Sequence, residues 1–195
     1  MSTSRLGSVQ AVEKGRVDLN RYLGHWYEID RYNSWFEWGG STDNTATYTI
    51  NDDGVIGVIN QCKGQPWWCP TQVIGVAKIG IENDTSKLLV RFSSFMQWAH
   101  YWILMVGEPR GQYDLYPWAV VGTPDRKFLW ILSRTSMMSL DDHRMALHYA
   151  KYQGFDVEKL VHVQHTNTGS VHERMLSADF TPANNNTAEA DAEAS

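Results

Sequence analysis

The sequence predicts an all-β fold, an antiparallel sandwich or barrel, followed by one helix. Eight short runs rich in β-branched and aromatic residues lie between residues 23 and 134, and clusters of Gly, Asn, Asp and Pro separate them. This pattern is typical of antiparallel all-β domains. No helical segment interrupts the series, so parallel crossover connections are not expected. The length of 195 residues fits one domain.

The eight runs are predicted as strands that pair with their neighbours in sequence. They cover residues 25–31, 45–50, 55–61, 72–81, 88–93, 100–106, 118–122 and 128–133. Asp53-Gly54, between the second and third runs, is a strong signal for a tight hairpin turn.

After the eighth strand the apolar pattern becomes helical. Ser139 is suited to be the N-cap, with Asp142 three residues later, and Gly154 is suited to end the helix after about four turns. One face carries small and apolar residues with a histidine, namely His143, Ala146, Leu147 and Ala150. We expect this face to pack on the outside of the sheet as a structural cover.

Both ends of the chain are predicted to lie outside the folded domain. Residues 1–16 are interpreted as an N-terminal extension and residues 17–165 as the domain, which ends with a short extended segment at 160–164. Residues 166–195 are polar and small, so they cannot bury enough apolar surface to become ordered, and we expect a disordered tail.

The composition excludes several classes of partner. Seventeen Lys and Arg against 22 Asp and Glu give a net charge of -5, and without a basic run nucleic acid is not expected to bind. No apolar stretch approaches the roughly 18 residues of a transmembrane helix, and no signal peptide is visible, so a cytoplasmic location with peripheral membrane association is predicted. Nine Trp, nine Tyr and six Phe indicate that the fold surrounds something large and apolar.

The first and last strands are predicted to pair and so to close a barrel. Because alternate residues of a strand share a face, Trp26, Glu28 and Asp30 are expected on one side of the first strand. Closure brings Arg134 over the Trp26 indole as a cation–π contact at one end. Glu28 is then expected near the barrel floor, where burial raises its pKa or forces it to pair with Arg134.

Several blocks of the chain resemble the lipocalin family. Residues 18–29, DLNRYLGHWYEI, resemble its Gly-x-Trp block, and residues 119–134, AVVGTPDRKFLWILSR, resemble its Arg-containing block. TATYTI-NDDG-VIGVINQ and KLLVRFSSFM-QWAHYWIL are similar to the branch that contains bacterial outer-membrane lipocalins, plant temperature-induced lipocalins and apolipoprotein D. The resemblance implies an eight-stranded antiparallel up-and-down barrel with a calyx open at one end.

The resemblance also implies a ligand and a pocket. Fatty acids, lysophospholipids, sterols or similar apolar molecules are expected as cargo, with no cofactor. The family places the equivalents of Tyr48, Phe92, Tyr101 and Trp130 inside the pocket, and strand alternation adds Val90 and Ile103. The chain is interpreted as a monomeric or weakly dimeric binding protein that transports or protects its ligand and is not an enzyme.

Alternatives to this interpretation stay open. The aromatic residues could simply fill a packed core. A calyx enzyme would need a titratable group inside the pocket, and Glu28 and Tyr101 are the candidates. A third alternative is a module that binds another protein through exposed aromatic residues.

Those aromatic residues lie in the connections after the first, third and fifth strands, which share one end of an up-and-down barrel. They form the predicted rim: Trp35, Phe36, Trp38, Trp67, Trp68, Phe95 and Trp98. The rim either covers the ligand as a lid or enters a membrane interface, where Trp is favoured.

Two cysteines and seven histidines are the residues that could support other chemistry. Cys62 and Cys69 are close enough in sequence to form a local disulfide in an oxidising compartment, and in a reducing one they would be thiols. The histidines show no metal-ligand spacing, so no metal site is predicted.

Overall fold

The architecture is known from a computed structural model that describes residues 7–33, 40–51, 54–64, 66–67, 70–80, 83–110 and 114–166. The described strands are β1 (Gly24–Tyr32), β2 (Thr42–Ile50), β3 (Ile56–Lys63), β4 (Gln72–Ile79), β5 (Lys87–Arg91), β6 (Ala99–Val106), β7 (Trp118–Gly122), β8 (Leu129–Ser133) and β9 (Leu160–His162). The helices are α1 (Leu19–Tyr22) and α2 (Leu140–Tyr152), and a 3-10 turn covers Val157–Lys159. The eight predicted strands are confirmed, with ends that differ by up to three residues.

The barrel closes between β1 and β8, as the sequence predicts. Consecutive strands from β1 to β8 pair antiparallel, and β1 pairs both with β2, through Trp26 opposite Ala46, and with β8, through Glu28 opposite Leu132. Because all eight strands have a partner on each side, the sheet forms a closed up-and-down barrel. Arg134 follows β8 at the end where β1 begins, so this end is called the closed end, and the opposite end is called the rim end.

A ninth strand extends the pairing of β1. The edge of β1 that pairs with β2 near the closed end pairs with β9 further on, where Tyr32 lies opposite Leu160. The chain after β9 continues toward the start of β2, since Asp43 N donates to Gln164 O at 2.8 Å. The extended segment predicted at residues 160–164 therefore completes the wall between β1 and β2.

A β-bulge in β1 corrects one prediction. Asp30 does not share a face with Trp26 and Glu28, because the register with β8 shifts between Glu28 and Asp30. An extra residue in one strand reverses the alternation beyond it. Asp30 lies on the outer side, where its carboxylate contacts His143 and His162.

Two apolar clusters lie on the two sides of the barrel wall. The inner cluster fills the barrel interior and includes Trp26, Tyr48, Leu88, Ile103 and Leu132. The outer cluster lies between the wall and α2 and includes Leu104, Val120, Ile131, Ala146 and Ala150. The predicted packing of the helix on the outside is confirmed, with Ser139 as N-cap and Gly154 in the left-handed conformation after its end.

Part of the predicted N-terminal extension packs against the barrel. Val9 is buried in the outer cluster, and Val17, the first residue of the predicted domain, is buried in the inner one. Val12 N donates to Ile103 O at 2.9 Å, and Thr85 Oγ1 donates to Val17 O at 2.6 Å.

None of the helices in the described ranges is long and apolar enough to cross a membrane. The predicted tail beyond Thr166 lies outside the described residues.

Candidate functional site

Arg134 seals the closed end of the barrel. Its guanidinium carbon lies 3.7 Å from the centroid of the Trp26 ring, which is the contact that the sequence predicts. The same guanidinium donates hydrogen bonds to four backbone carbonyls, one at the start of β1 and three just before it. They belong to His25, Arg21, Tyr22 and Leu23, at 2.8–3.0 Å. Burial lowers the pKa of Arg134 to about 10, so it remains charged at neutral pH.

Three buried tyrosines lie above Trp26 in the barrel. Tyr101 shares hydrogen bonds with Tyr22, with 2.7 Å between the hydroxyl oxygens, and with Tyr48, at 2.9 Å. Burial raises the pKa of Tyr22 and of Tyr101 well above the usual value of 10.0, because a phenolate is poorly solvated there. Tyr22 was not among the predicted pocket residues, since it belongs to α1, whose four residues are too short to produce a helical pattern.

The aromatic residues of the interior form a column from the closed end toward the rim end. Its members, with successive ring centroids 5.1–6.3 Å apart, are Trp26, Tyr22, Tyr48, Tyr101, Trp130 and Phe128. Trp130 and Phe128 stack with an interplanar angle of 10°, and both are only partly buried. The column is therefore tightly enclosed at the closed end and more accessible near the rim end.

All six residues that were predicted to line the pocket lie at the barrel interior. Tyr48, Val90, Tyr101 and Ile103 belong to the inner cluster, and Phe92 and Trp130 pack against its edge. Phe92 lies against the backbone of β4, because a Cβ added to Gly75 would be 2.6 Å from Phe92 Cδ1. Glycine at this position leaves room for the Phe92 ring.

Glu28 is buried, but its partner differs from the predicted one. Glu28 Oε2 lies 3.8 Å from Arg31 Nε, and Arg134 is instead engaged with backbone carbonyls at the closed end. Because of the bulge, Arg31 returns to the inner face, opposite Trp130. Arg31 also donates to Ser41 Oγ at 3.1 Å. The interior of the barrel therefore contains an ion pair.

The rim residues that the structure describes fall into two groups. Trp67 and Phe95 are 95% and 97% exposed. Trp98 instead lies on the outer wall between two cations, with Lys78 Nζ at 4.4 Å and Arg91 Cζ at 4.5 Å from its ring centroid. The other predicted rim residues, Trp35, Phe36, Trp38 and Trp68, lie outside the described residues, and so does Cys69, so the predicted disulfide with Cys62 stays a prediction.

The described residues offer little for acid–base or metal chemistry in the interior. Tyr101, one of the two candidate titratable groups, is neutral at physiological pH because its pKa is raised, and Glu28 is paired with Arg31. Outside the barrel, His143 and His162 contact different oxygens of Asp30. No group of three or more His, Cys, Asp or Glu in the described ranges is placed to hold a metal ion.

Comparison with known proteins identifies the family. Residues 17–165 match the lipocalin-like domain family. The chain is a lipocalin. It is 34% identical over 159 residues to temperature-induced lipocalin-1 of Arabidopsis thaliana, covering 76% of this chain and 79% of the relative. It is 38% identical over 149 residues to outer membrane lipoprotein Blc of Citrobacter freundii, covering 75% and 78%.

Solved structures support the lipocalin fold. Apocrustacyanin C2 superposes with a TM-score of 0.60 at 14% identity, covering 78% of this lipocalin and 82% of that chain. Insecticyanin from the tobacco hornworm Manduca sexta superposes with a TM-score of 0.58 at 18% identity, covering 85% and 92%. At these identities the likeness concerns the fold.

The cytoplasmic location predicted for this lipocalin is wrong. The bacterial relatives from Citrobacter freundii, Escherichia coli and Vibrio cholerae are outer membrane lipoproteins, which points away from the cytoplasm. The prediction depended on the absence of a visible signal peptide, and that absence does not establish a location.

Proposed function

We propose that this lipocalin binds a small hydrophobic or amphipathic molecule inside its barrel and transports or protects it. The observation that carries this proposal is the gradient of burial along the aromatic column. Trp26 and Tyr22 are fully enclosed next to Arg134 at the closed end, whereas Trp130 and Phe128 toward the rim end are only partly covered. A ligand that enters at the rim end would complete the burial of these two rings.

The free energy of apolar burial favours a ligand with an alkyl or acyl chain. Burial of about 12 methylenes at ~0.8 kcal/mol each gives a gross gain of ~10 kcal/mol before the losses of binding entropy. The partly covered Phe92 and Trp130, together with Val90, would supply the apolar contacts. Fatty acids, lysophospholipids and sterols are the cargo classes that fit, and a binding stoichiometry of one ligand suits an eight-stranded barrel.

The test is native mass spectrometry of the delipidated protein with palmitic acid. We expect one bound molecule, and we expect Trp130→Ala to lower the affinity about tenfold or more, since truncation removes a large contact area. Trp67→Ala is the matched control, because Trp67 is an exposed tryptophan outside the barrel. Absence of palmitate binding, or an equal effect of both substitutions, would contradict binding in the interior.

The side chains of the interior favour binding of the ligand without catalysis. Tyr101 is held by two phenols, and Glu28 is engaged in the Arg31 ion pair, so neither is poised to exchange protons with a ligand. Recovery of the palmitate chemically unchanged after long incubation would agree with this proposal. Turnover that Glu28→Gln abolishes without loss of binding would favour the enzyme alternative.

We further propose that the rim end docks on a membrane surface. Trp67 and Phe95 place two large apolar side chains in solvent, where an interface with lipid would cover them. On the outer wall, Lys78 and Arg91 flank the Trp98 ring. Two cations beside an indole fit anionic lipid headgroups, although the whole chain has a charge of -5.

Vesicle co-sedimentation tests the docking proposal. The wild type should bind vesicles that contain phosphatidylglycerol more strongly than vesicles of phosphatidylcholine alone, and Trp67→Ser/Phe95→Ser should lose most of this binding. Tyr152→Ser, which removes an exposed aromatic residue of α2, is the matched control. Identical partitioning of wild type and double variant would contradict docking, and retention of a protein partner without vesicles would favour the interaction-module alternative. A monomer or weak dimer stays the predicted oligomeric state.

A further inference from the structure

The inner wall of the barrel carries two asparagines. Asn44 alternates along β2 with the buried Ala46 and Tyr48, and Asn60 on β3 lies directly opposite Ala46. Paired residues of neighbouring strands and alternate residues of one strand share a face. Both amides therefore belong to the inner side of the wall, next to the β1 residues Glu28 and Arg31.

The side-chain carbonyl oxygens of these asparagines have no donor. Asn44 is 5% exposed, and both Asn44 Oδ1 and Asn60 Oδ1 are shielded from solvent without a hydrogen-bond partner among the described residues. Buried polar atoms are paired in the great majority of cases, because an unpaired one loses its hydration without compensation. Two such oxygens on adjacent strands point to a partner that belongs to a ligand.

Polar and apolar side chains are distributed unequally around the interior of the barrel. Because the strands follow one another in closed order, β1 to β3 face β5 to β7 across the interior. The first wall carries Glu28, Arg31, Asn44 and Asn60 beside apolar or aromatic residues, namely Trp26, Ala46, Tyr48, Ile56 and Val58. The opposite wall is apolar or aromatic, and its members are Leu88, Val90, Phe92, Tyr101, Ile103, Ala119 and Val121. The charged and amide side chains named here thus lie on one wall of a mostly apolar interior.

We propose that the ligand is an amphiphile with a hydroxyl group, which donates its one hydrogen bond to the carbonyl oxygen of Asn44 or of Asn60 while its alkyl part lies against β5 to β7. This inference rests on the proposed function and names the ligand class for the same interior. The unpaired atoms are acceptors, so a ligand that offers only acceptors, such as an ether or an ionised fatty-acid carboxylate, lacks the matching group. Palmitic acid therefore serves here only as the reference for apolar binding.

Two isomeric probes separate this requirement from apolar burial. 1-Dodecanol and methyl undecyl ether have the same molecular formula, but only the alcohol can donate a hydrogen bond. Competition against palmitic acid, followed by native mass spectrometry, compares their affinities. We expect wild-type protein to prefer the alcohol about tenfold, which corresponds to one hydrogen bond to an otherwise unpaired buried oxygen.

Substitution then assigns the preference to the asparagines. Asn44→Leu and Asn60→Leu should each reduce the ratio of the two affinities, and the double variant should bring it near one, while the ether still binds. Asn51→Leu is the matched control, since Asn51 is exposed in the connection between β2 and β3. Its ratio should equal that of the wild type.

The outcomes distinguish this inference from the proposed function. Equal affinities of wild type for the two isomers would overturn the hydroxyl requirement and would mean that water satisfies both amides. A preference that survives in the double variant would overturn the assignment to Asn44 and Asn60. Failure of both isomers and of palmitic acid to bind would instead refute the proposed function itself.

Discussion

Arg134 shows how one residue can hold several parts of the chain. Its planar guanidinium covers the Trp26 ring and donates to four carbonyls of the segment that leads into β1. Trp26 Nε1 donates in turn to Tyr22 O at 2.8 Å. A lysine ammonium offers three donors without the planar geometry that permits simultaneous stacking and hydrogen bonding.

We predict that Arg134→Lys lowers the free energy of unfolding by about 2–3 kcal/mol, because the stacking and most of the carbonyl contacts are lost. Urea denaturation monitored by tryptophan fluorescence measures the change. Arg144→Lys is the matched control, since the Arg144 side chain is mostly exposed. A loss of similar size in both variants would show that Arg134 has no special structural role.

The tyrosine cluster predicts a loss of stability at high pH. In the unfolded chain Tyr22 and Tyr101 lose their protons near pH 10, whereas burial keeps them protonated in the barrel. Above this pH the folded state binds more protons than the unfolded state, so the free energy of unfolding falls as pH rises. Below pH 10 this contribution is fully present.

Urea denaturation across the alkaline range around pH 10 tests this expectation. The slope of the unfolding free energy against pH should be less steep for Tyr101→Phe, whereas Tyr152→Phe, which alters an exposed phenol, should keep the slope of the wild type. If Tyr101→Phe leaves the slope unchanged, the buried phenol does not control the alkaline transition.

At the scale of elements, the carboxylate of one residue links two strands and a helix. Asp30 on β1 contacts His143 on α2 and, at 2.9 Å, His162 Nδ1 on β9. The Asp30 side chain is almost fully buried. It is on the outer face only because of the bulge after Glu28. The bulge thus directs one carboxylate toward α2 and β9 and returns Arg31 to the interior.

We predict that Asp30→Ala destabilises the protein by about 1–3 kcal/mol, since both histidines lose a buried hydrogen-bond partner. Hydrogen exchange should show lower protection in α2 and β9 than in the barrel strands. Asp141→Ala is the control, because Asp141 is exposed in the first turn of α2. Unchanged protection of α2 and β9 in Asp30→Ala would contradict a linking role.

At the scale of the whole molecule, closure of the barrel determines what the interior can hold. The β1–β8 pairing encloses the aromatic column, and Arg134 seals one end. A ligand that binds the closed barrel and not the unfolded chain shifts the folding equilibrium toward the barrel. Binding and stability are therefore coupled through closure.

We predict that palmitic acid at a hundredfold excess over its Kd raises the free energy of unfolding by about 2.7 kcal/mol. Thermal denaturation with increasing palmitate measures the shift, and Trp130→Ala should need a higher concentration for the same effect. A transition temperature that does not respond to palmitate would argue against binding to the folded barrel.

The sequence was sufficient to predict features that depend only on residues close together in the chain. Strand alternation, turn residues such as Asp53-Gly54 and the Ser139 N-cap predicted the eight strands and α2 because each signal is complete within a few residues. The Arg134 contact with Trp26 could also be anticipated, since it follows from one strand pairing. The six residues that were predicted to line the pocket lie on the inner side of the wall for the same reason, and their contact with a ligand stays a prediction.

Features that depend on contacts between distant segments needed the tertiary structure. The bulge in β1 leaves no local signal, so the sequence alone assigned Asp30 to the wrong face and paired Glu28 with Arg134 instead of Arg31. The outward position of Trp98 between Lys78 and Arg91, and the unpaired oxygens of Asn44 and Asn60, arise from strands brought together only by folding. Periodicity determines which side chains can share a face, whereas register and closure decide which of them meet.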